Sequence, residues 1–191
     1  MKYLITCCIL FAIGFAGCVE DPAAPTPPTG GDDEYAVYSA LIDSLYIFDE
    51  TEVVVIRDMT EPYDLSDDNS RSFVRDQLQV SDALIDAYVA RNGPSVALRR
   101  ALTIDLDYRL IADSTFQHIL TTGGYEEFYR RYPGAQGHLT LSRVGFSADG
   151  NTALVYASNT PAFLAGMGIC TTLMKHGDQW RVTGHVIVWI S

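Results

Sequence analysis

Ser142-Arg143 lies within an otherwise apolar stretch from Leu139 to Ser147, and Tyr156 falls on the next strand-like run. That spacing puts the two near each other across a hairpin. Functionally, Arg143 could hold an anion or carboxylate in a concave sheet. With Tyr156 and a carboxylate it would then line the cone-like pocket of a hydrolase or isomerase. Structurally, it could pair with Asp105, Asp107 or Glu127 and tie a helix to the sheet, the usual state of a buried arginine. The other candidates are weaker. His118, His138, His176 and His185 are scattered, and none stands two or four positions from another His or Cys, so no zinc spacing exists. Asp64 to Ser70 is acidic, but counting from Asp64 an EF-hand would need Gly where Asn69 stands and Glu where Arg75 stands. No Gly-x-Ser-x-Gly elbow, P-loop or Gly-x-Gly-x-x-Gly is present. Gly166-Met167-Gly168 reads as a place where chain segments approach closely. We assign no catalytic residue, metal or cofactor, and the balance leans away from an enzyme.

The elements that must position Arg143 and Tyr156 change character along the chain. Tyr35 to Phe48 carries Val37, Leu41, Leu45 and Phe48 at helical spacing, with Asp32 or Asp33 as a cap. Glu52 to Arg57 is short and β-branched, hence a strand. Met59 to Gln79 reads as an acidic connection. Ser81 then caps a helix through Leu84, Ile85, Tyr88 and Val89, stopped by Asn92-Gly93-Pro94. Leu102, Ile104, Leu106, Tyr108 and Leu110 alternate with polar residues, as in a strand with one buried face. Short helices follow around Phe116 to Leu120 and Tyr125 to Tyr132. Four runs joined by turn-rich stretches come last: Leu139 to Ser147, Thr152 to Ser158, Met167 to Lys175 and Gln179 to Ile190. Helices first and hairpins last make an α+β domain, with helices packed on a C-terminal antiparallel meander. Its curved sheet would be similar in layout to NTF2-like domains, an analogy that carries no site.

The N-terminus carries a different chemistry. Met1-Lys2 is a short positive start, Tyr3 to Phe15 is almost wholly apolar, and Ala16-Gly17 precedes Cys18. These are the parts of a secretory signal peptide, and the apolar run is too short to span hydrocarbon. Phe15-Ala16-Gly17-Cys18 resembles the lipobox of bacterial lipoproteins. The resemblance implies cleavage before Cys18, a diacylglycerol on its sulfur and an acyl chain such as palmitate on its new amino group. Two or three chains give stable anchoring to the lipid bilayer, where one binds only marginally. Cys7 and Cys8 leave with the leader, so Cys170 has no disulfide partner although the compartment is oxidising. Cys170 reads as a small buried hydrophobe, with nothing local to lower its pKa.

Residues 18–33 hold the lipidated cysteine and a tether with Pro22, Pro25, Pro27, Pro28, Gly30 and Gly31, too poor in apolar residues to form a core. The whole chain carries a net charge of −11; loss of Lys2 with residues 1–17 leaves twelve Lys and Arg against twenty-four Asp and Glu, or −12. That argues against nucleic acid as a partner. Residues 34–191 suit a single domain with one core.

Leu141-Ser142-Arg143-Val144-Gly145-Phe146, Ala153-Leu154-Val155-Tyr156, Ala165-Gly166-Met167-Gly168 and the ending Trp180 to Trp189-Ile190-Ser191 resemble a group of uncharacterised bacterial secreted proteins and lipoproteins. The resemblance implies a compact α+β domain and no particular activity. The expectation is a membrane-anchored lipoprotein of the cell envelope, facing the periplasm and on the outer membrane if the source has two. Its domain would bind a small ligand or an envelope protein without catalysis. The enzyme reading around Arg143 and Tyr156 is the alternative.

Overall fold

The run Val53-Val54-Val55-Ile56-Arg57 (β1) is rich in β-branched residues and pairs with a strand on each side, which buries its centre. The computed structural model describes residues 31–191; the expected leader, Cys18 and the tether up to Gly30 lie outside them. The described residues form α1 (Asp32–Leu45), β1 (Val53–Arg57), α2 (Asp68–Leu78), α3 (Asp82–Arg91), β2 (Asp107–Ile111), α4 (Asp113–Arg131) and β3 (Ala135–Leu141). The chain goes on through β4 (Gly145–Phe146), β5 (Thr152–Ala162), β6 (Ala165–His176) and β7 (Gln179–Ile190). The α+β expectation holds: four helices pack on one curved seven-stranded sheet. Its order is β2-β1-β3-β5-β6-β7, with β4 paired to β5 off this path.

The sheet is mixed rather than a meander alone. β3, β5, β6 and β7 pair antiparallel as expected, but β1 runs parallel to both β2 and β3. Parallel neighbours need crossovers, and α2–α3 and α4 supply them. Successive strand residues face opposite sides, so the alternation along β1 and β5 sorts the core. Val54, Ile56, Ala153, Val155 and Ala157 pack with Tyr38, Leu41 and Ile42 of α1. Leu154 and Tyr156 face Val74 of α2 and Leu84, Ile85 and Tyr88 of α3. Val55 meets Phe116, Ile119 and Phe128 of α4. Helices therefore cover both faces.

Several boundaries differ from the sequence reading. The acidic connection Met59 to Gln79 contains α2, capped by the Asp67 carboxylate, which accepts from Ser70 N–H at 2.9 Å. The alternating run from Leu102 is a strand only from Asp107; Leu102 and Ile104 pack against the α1 cluster without a ladder. The two short helices do occur, as the two halves of α4 separated by a kink at Gly124, whose φ of 63° only glycine adopts cheaply. The α1 N-cap is Gly31, not an aspartate, and no side chain caps the helix. Leu139 to Ser147 is two strands, with Ser142-Arg143-Val144 as the break between β3 and β4. At Gly145 a methyl group would overlap the backbone of Tyr88, so β4 admits α3 at closest approach.

Candidate functional site

Arg143 in the β3–β4 break turns toward α1, not toward any of the three carboxylates expected. Its Nε and Nη2 donate to the Glu34 carboxylate at 2.9 and 3.1 Å. The same carboxylate accepts from Arg91 Nη2 at 3.0 Å, Val144 N–H at 3.0 Å and the Tyr38 hydroxyl at 3.1 Å. Glu34 is 4% exposed. Burial pushes its carboxyl upward, but the bond from Arg143, the Val144 amide and the charges of both arginines outweigh that and hold it below the ordinary value. Asn92 closes the arrangement: its Oδ1 accepts from Arg143 N–H and its Nδ2 donates to the Arg143 carbonyl. Two guanidiniums share one carboxylate, so the node keeps one formal positive charge beside a cleft of about 110 Å³ that Arg99 also lines. The arginine fork that would grip an anion is already filled by Glu34. Of the carboxylates first considered for Arg143, Glu127 takes Arg130 and Arg131, and Asp107 takes Arg109.

Tyr156 is a main-chain neighbour of this node, since Ser142 N–H donates to the Tyr156 carbonyl at 2.9 Å. Its side chain joins another group. The ring stacks on Tyr63 at 5.7 Å, and the hydroxyl accepts from Trp189 Nε1 at 2.8 Å. Around it stand Tyr88 and Cys170, which is fully buried and whose thiol burial pushes up to about 12. A thiol so held is protonated and inert as a nucleophile. The fold thus brings Arg143 and Tyr156 together through the backbone while dividing their side chains between clusters. Apolar and aromatic side chains fill the sheet around Tyr156.

A larger cleft lies elsewhere, between α1 and the outer edge of β7, with a volume of about 1070 Å³. Asp32 and Asp43 of α1 and Asp178 of the β6–β7 turn give it an acidic rim, against Arg181 and His185 of β7. Burial, and then the charge of Asp105, raise the Asp43 carboxyl above its ordinary value, so a cation would be welcome there. Trp180 lines the same wall. It is 6% exposed, its ring meets Phe146 at a tilt with centroids 5.7 Å apart, and its Nε1–H has no acceptor among the described residues. A buried donor left unpaired costs stability. β7 itself pairs only with β6 among the described residues, leaving the groups on its other side open.

Sequence reasoning placed Trp180 in the last strand-like run but not on the wall of a cleft, and it missed Glu34 altogether. Glu34 sits among Asp32 and Asp33 in the first turn of a helix, where acidic residues are common and uninformative. No group of three His, Cys, Asp or Glu placed to hold a metal ion occurs among the described residues. No helix among them is long and apolar enough to cross a membrane. The chain matches no family model, no curated protein and no solved structure.

Proposed function

We propose that the protein is a membrane-anchored lipoprotein of the bacterial cell envelope, lipidated at Cys18, whose domain binds a partner segment without catalysing a reaction. The segment is extended and basic-apolar in character, and it lies along β7 in the cleft against α1. The observation that carries this reading is the acidic-rimmed cleft walled by α1 and Trp180 beside an open strand edge. An added strand supplies carbonyls to that edge, and alternate side chains supply specificity. The lipobox resemblance and the Pro- and Gly-rich stretch after Cys18 support the anchor.

Trp180 also provides the test, because its fluorescence reports on the cleft it lines. Titration with an alternating Lys-Val peptide is expected to shift that emission saturably, and an alternating Glu-Val peptide is not. Asp43→Asn with Asp178→Asn should weaken the response several-fold and reduce its salt dependence. Equal responses to both peptides, or none to either, would remove the cleft as the binding site.

A further inference from the structure

The most exposed large apolar side chains among the described residues are Phe163 at 81%, Leu164 at 75% and Ile190 at 72%. Phe163 and Leu164 are the whole connection between β5 and β6, the turn of a long hairpin. Ile190 is at the same end, paired with Met167. Two-residue hairpin turns favour Gly, Asn or Asp because a positive φ costs them little. Leu164 holds a φ of 61° there. A bulky residue kept in a strained, solvent-facing position, with an apolar neighbour, breaks local rules in a way expected of a functional surface.

The surroundings say what covers it. No Asp, Glu, Lys or Arg occurs from Gly150 to Met174, in a chain with a net charge of −11. Behind the tip stand two amphipathic aromatics. The Tyr129 hydroxyl donates to the Pro161 carbonyl at 2.6 Å, and the Trp189 indole lies against Gly166 and Gly168. An apolar point backed by Tyr and Trp is the arrangement that suits a bilayer interface.

We infer that the β5–β6 tip is a second membrane contact, in which Phe163, Leu164 and Ile190 enter the interfacial zone of a phospholipid bilayer. Because no charged side chain occurs from Gly150 to Met174, the contact does not depend on anionic headgroups. The rest of the geometry rests on the Cys18 anchor proposed above. The far end of β6 is tied to the start of α1, because Lys175 Nζ bonds Asp33 Oδ1 at 2.9 Å. From Leu164 to Lys175 is roughly 36 Å at the rise of a strand. The chain from Cys18 to Gly31 can reach about 45 Å when extended. Tip and anchor can therefore occupy one membrane, with little length to spare.

The three apolar clusters are built from residues within 31–191, and a chain starting at Val19 is expected to retain the fold. That chain is expected to sediment with phosphatidylcholine vesicles, and no more strongly when phosphatidylglycerol is added. Phe163→Ser with Leu164→Gly removes both apolar side chains and relieves the turn. This variant should melt no lower than the parent and lose at least tenfold in vesicle affinity. Unchanged vesicle binding by the variant overturns the inference. So does a parent chain that ignores vesicles but self-associates through the tip, which would make a second copy the occupant. In the full lipidated chain, an environment-sensitive fluorophore on Ala165→Cys should report burial in lipid, and deleting residues 23–28 should withdraw it. A chain that lacks acyl label yet binds vesicles through the tip would refute the anchor and leave this contact standing.

Discussion

Glu34 and Arg143 stand 109 positions apart and meet in a two-point ion pair that joins the first turn of α1 to the break between β3 and β4. The carboxylate is buried and takes three further donors, so its loss leaves two guanidiniums facing each other with nothing between them. Glu34→Gln is expected to lower the unfolding free energy by about 3 kcal/mol in urea melts. Arg143→Lys keeps the charge but not the fork, and should cost less. The Glu34 carboxyl titrates below its ordinary value of 4.5 in the folded protein. Its contribution is thus complete above that value and fades as pH falls through the folded one. An unchanged midpoint for Glu34→Gln would show the node to be dispensable.

His138 gives the acid limb at higher pH. It is 6% exposed among the rings of Phe116, Tyr125 and Phe128. Burial, and then the nearby charge of Arg57, pull its pKa from 6.5 to about 4. Between those values the unfolded imidazole holds a proton that the folded one does not. Stability therefore falls on acidification through this window, by up to about 3 kcal/mol. His138→Phe should flatten the melting temperature between pH 6.5 and 4.5. A wild-type melting temperature that stays level over that range would contradict this.

The end of β7 closes the cluster around Tyr156. Val186 pairs with Cys170, Trp189 pairs with Gly168, and the Trp189 indole bonds the Tyr156 hydroxyl at 2.8 Å. Truncating a large aromatic in such a place costs about 3–5 kcal/mol, much of a domain's stability. Deleting Val186 to Ser191 is expected to abolish cooperative thermal unfolding. Gly168→Ala should also destabilise, because a methyl group there would overlap the Trp189 indole. Calorimetry that shows the parent transition intact after the deletion would make this end of the strand peripheral.

Lipidation makes the last prediction. Metabolic labelling with a fatty acid should mark the wild-type chain in bacteria, and Cys18→Ser should remain an unlabelled, uncleaved precursor. A Cys18→Ser protein that is processed and membrane-bound as usual would eliminate the anchor. Cys170, protonated and buried, should stay unreactive to thiol reagents until the domain unfolds.

What the sequence determined by itself is what neighbouring residues settle among themselves. The β-branched run of β1, the Ser81 cap of α3, the turn at Gly177 with its φ of 62° and the alternation along β7 all depend on a few adjacent positions. These made the α+β class and most of the antiparallel strands legible. α2 escaped because only Val74 of its residues is buried, while its cap and the Arg71 bonds to Asp82 and Asp86 hold it. The same alternation occurs in Leu102-Ile104 as in a strand, and only the lack of a partner keeps that stretch out of the sheet.

The tertiary structure alone decided the rest. Parallel pairing of β1 with β2 and β3 joins segments about fifty and eighty residues apart, whose meeting leaves no local trace. A helix-start glutamate reads the same whether it faces water or two arginines, so the Glu34 node was invisible. Arg143 and Tyr156 look adjacent in a hairpin, yet side-chain direction depends on where the strand breaks, and the break at Ser142 to Val144 sends them to different clusters. The cleft between α1 and β7 exists only because a helix from one end of the chain lies along a strand from the other, a matter of long-range packing that short-range pattern does not encode.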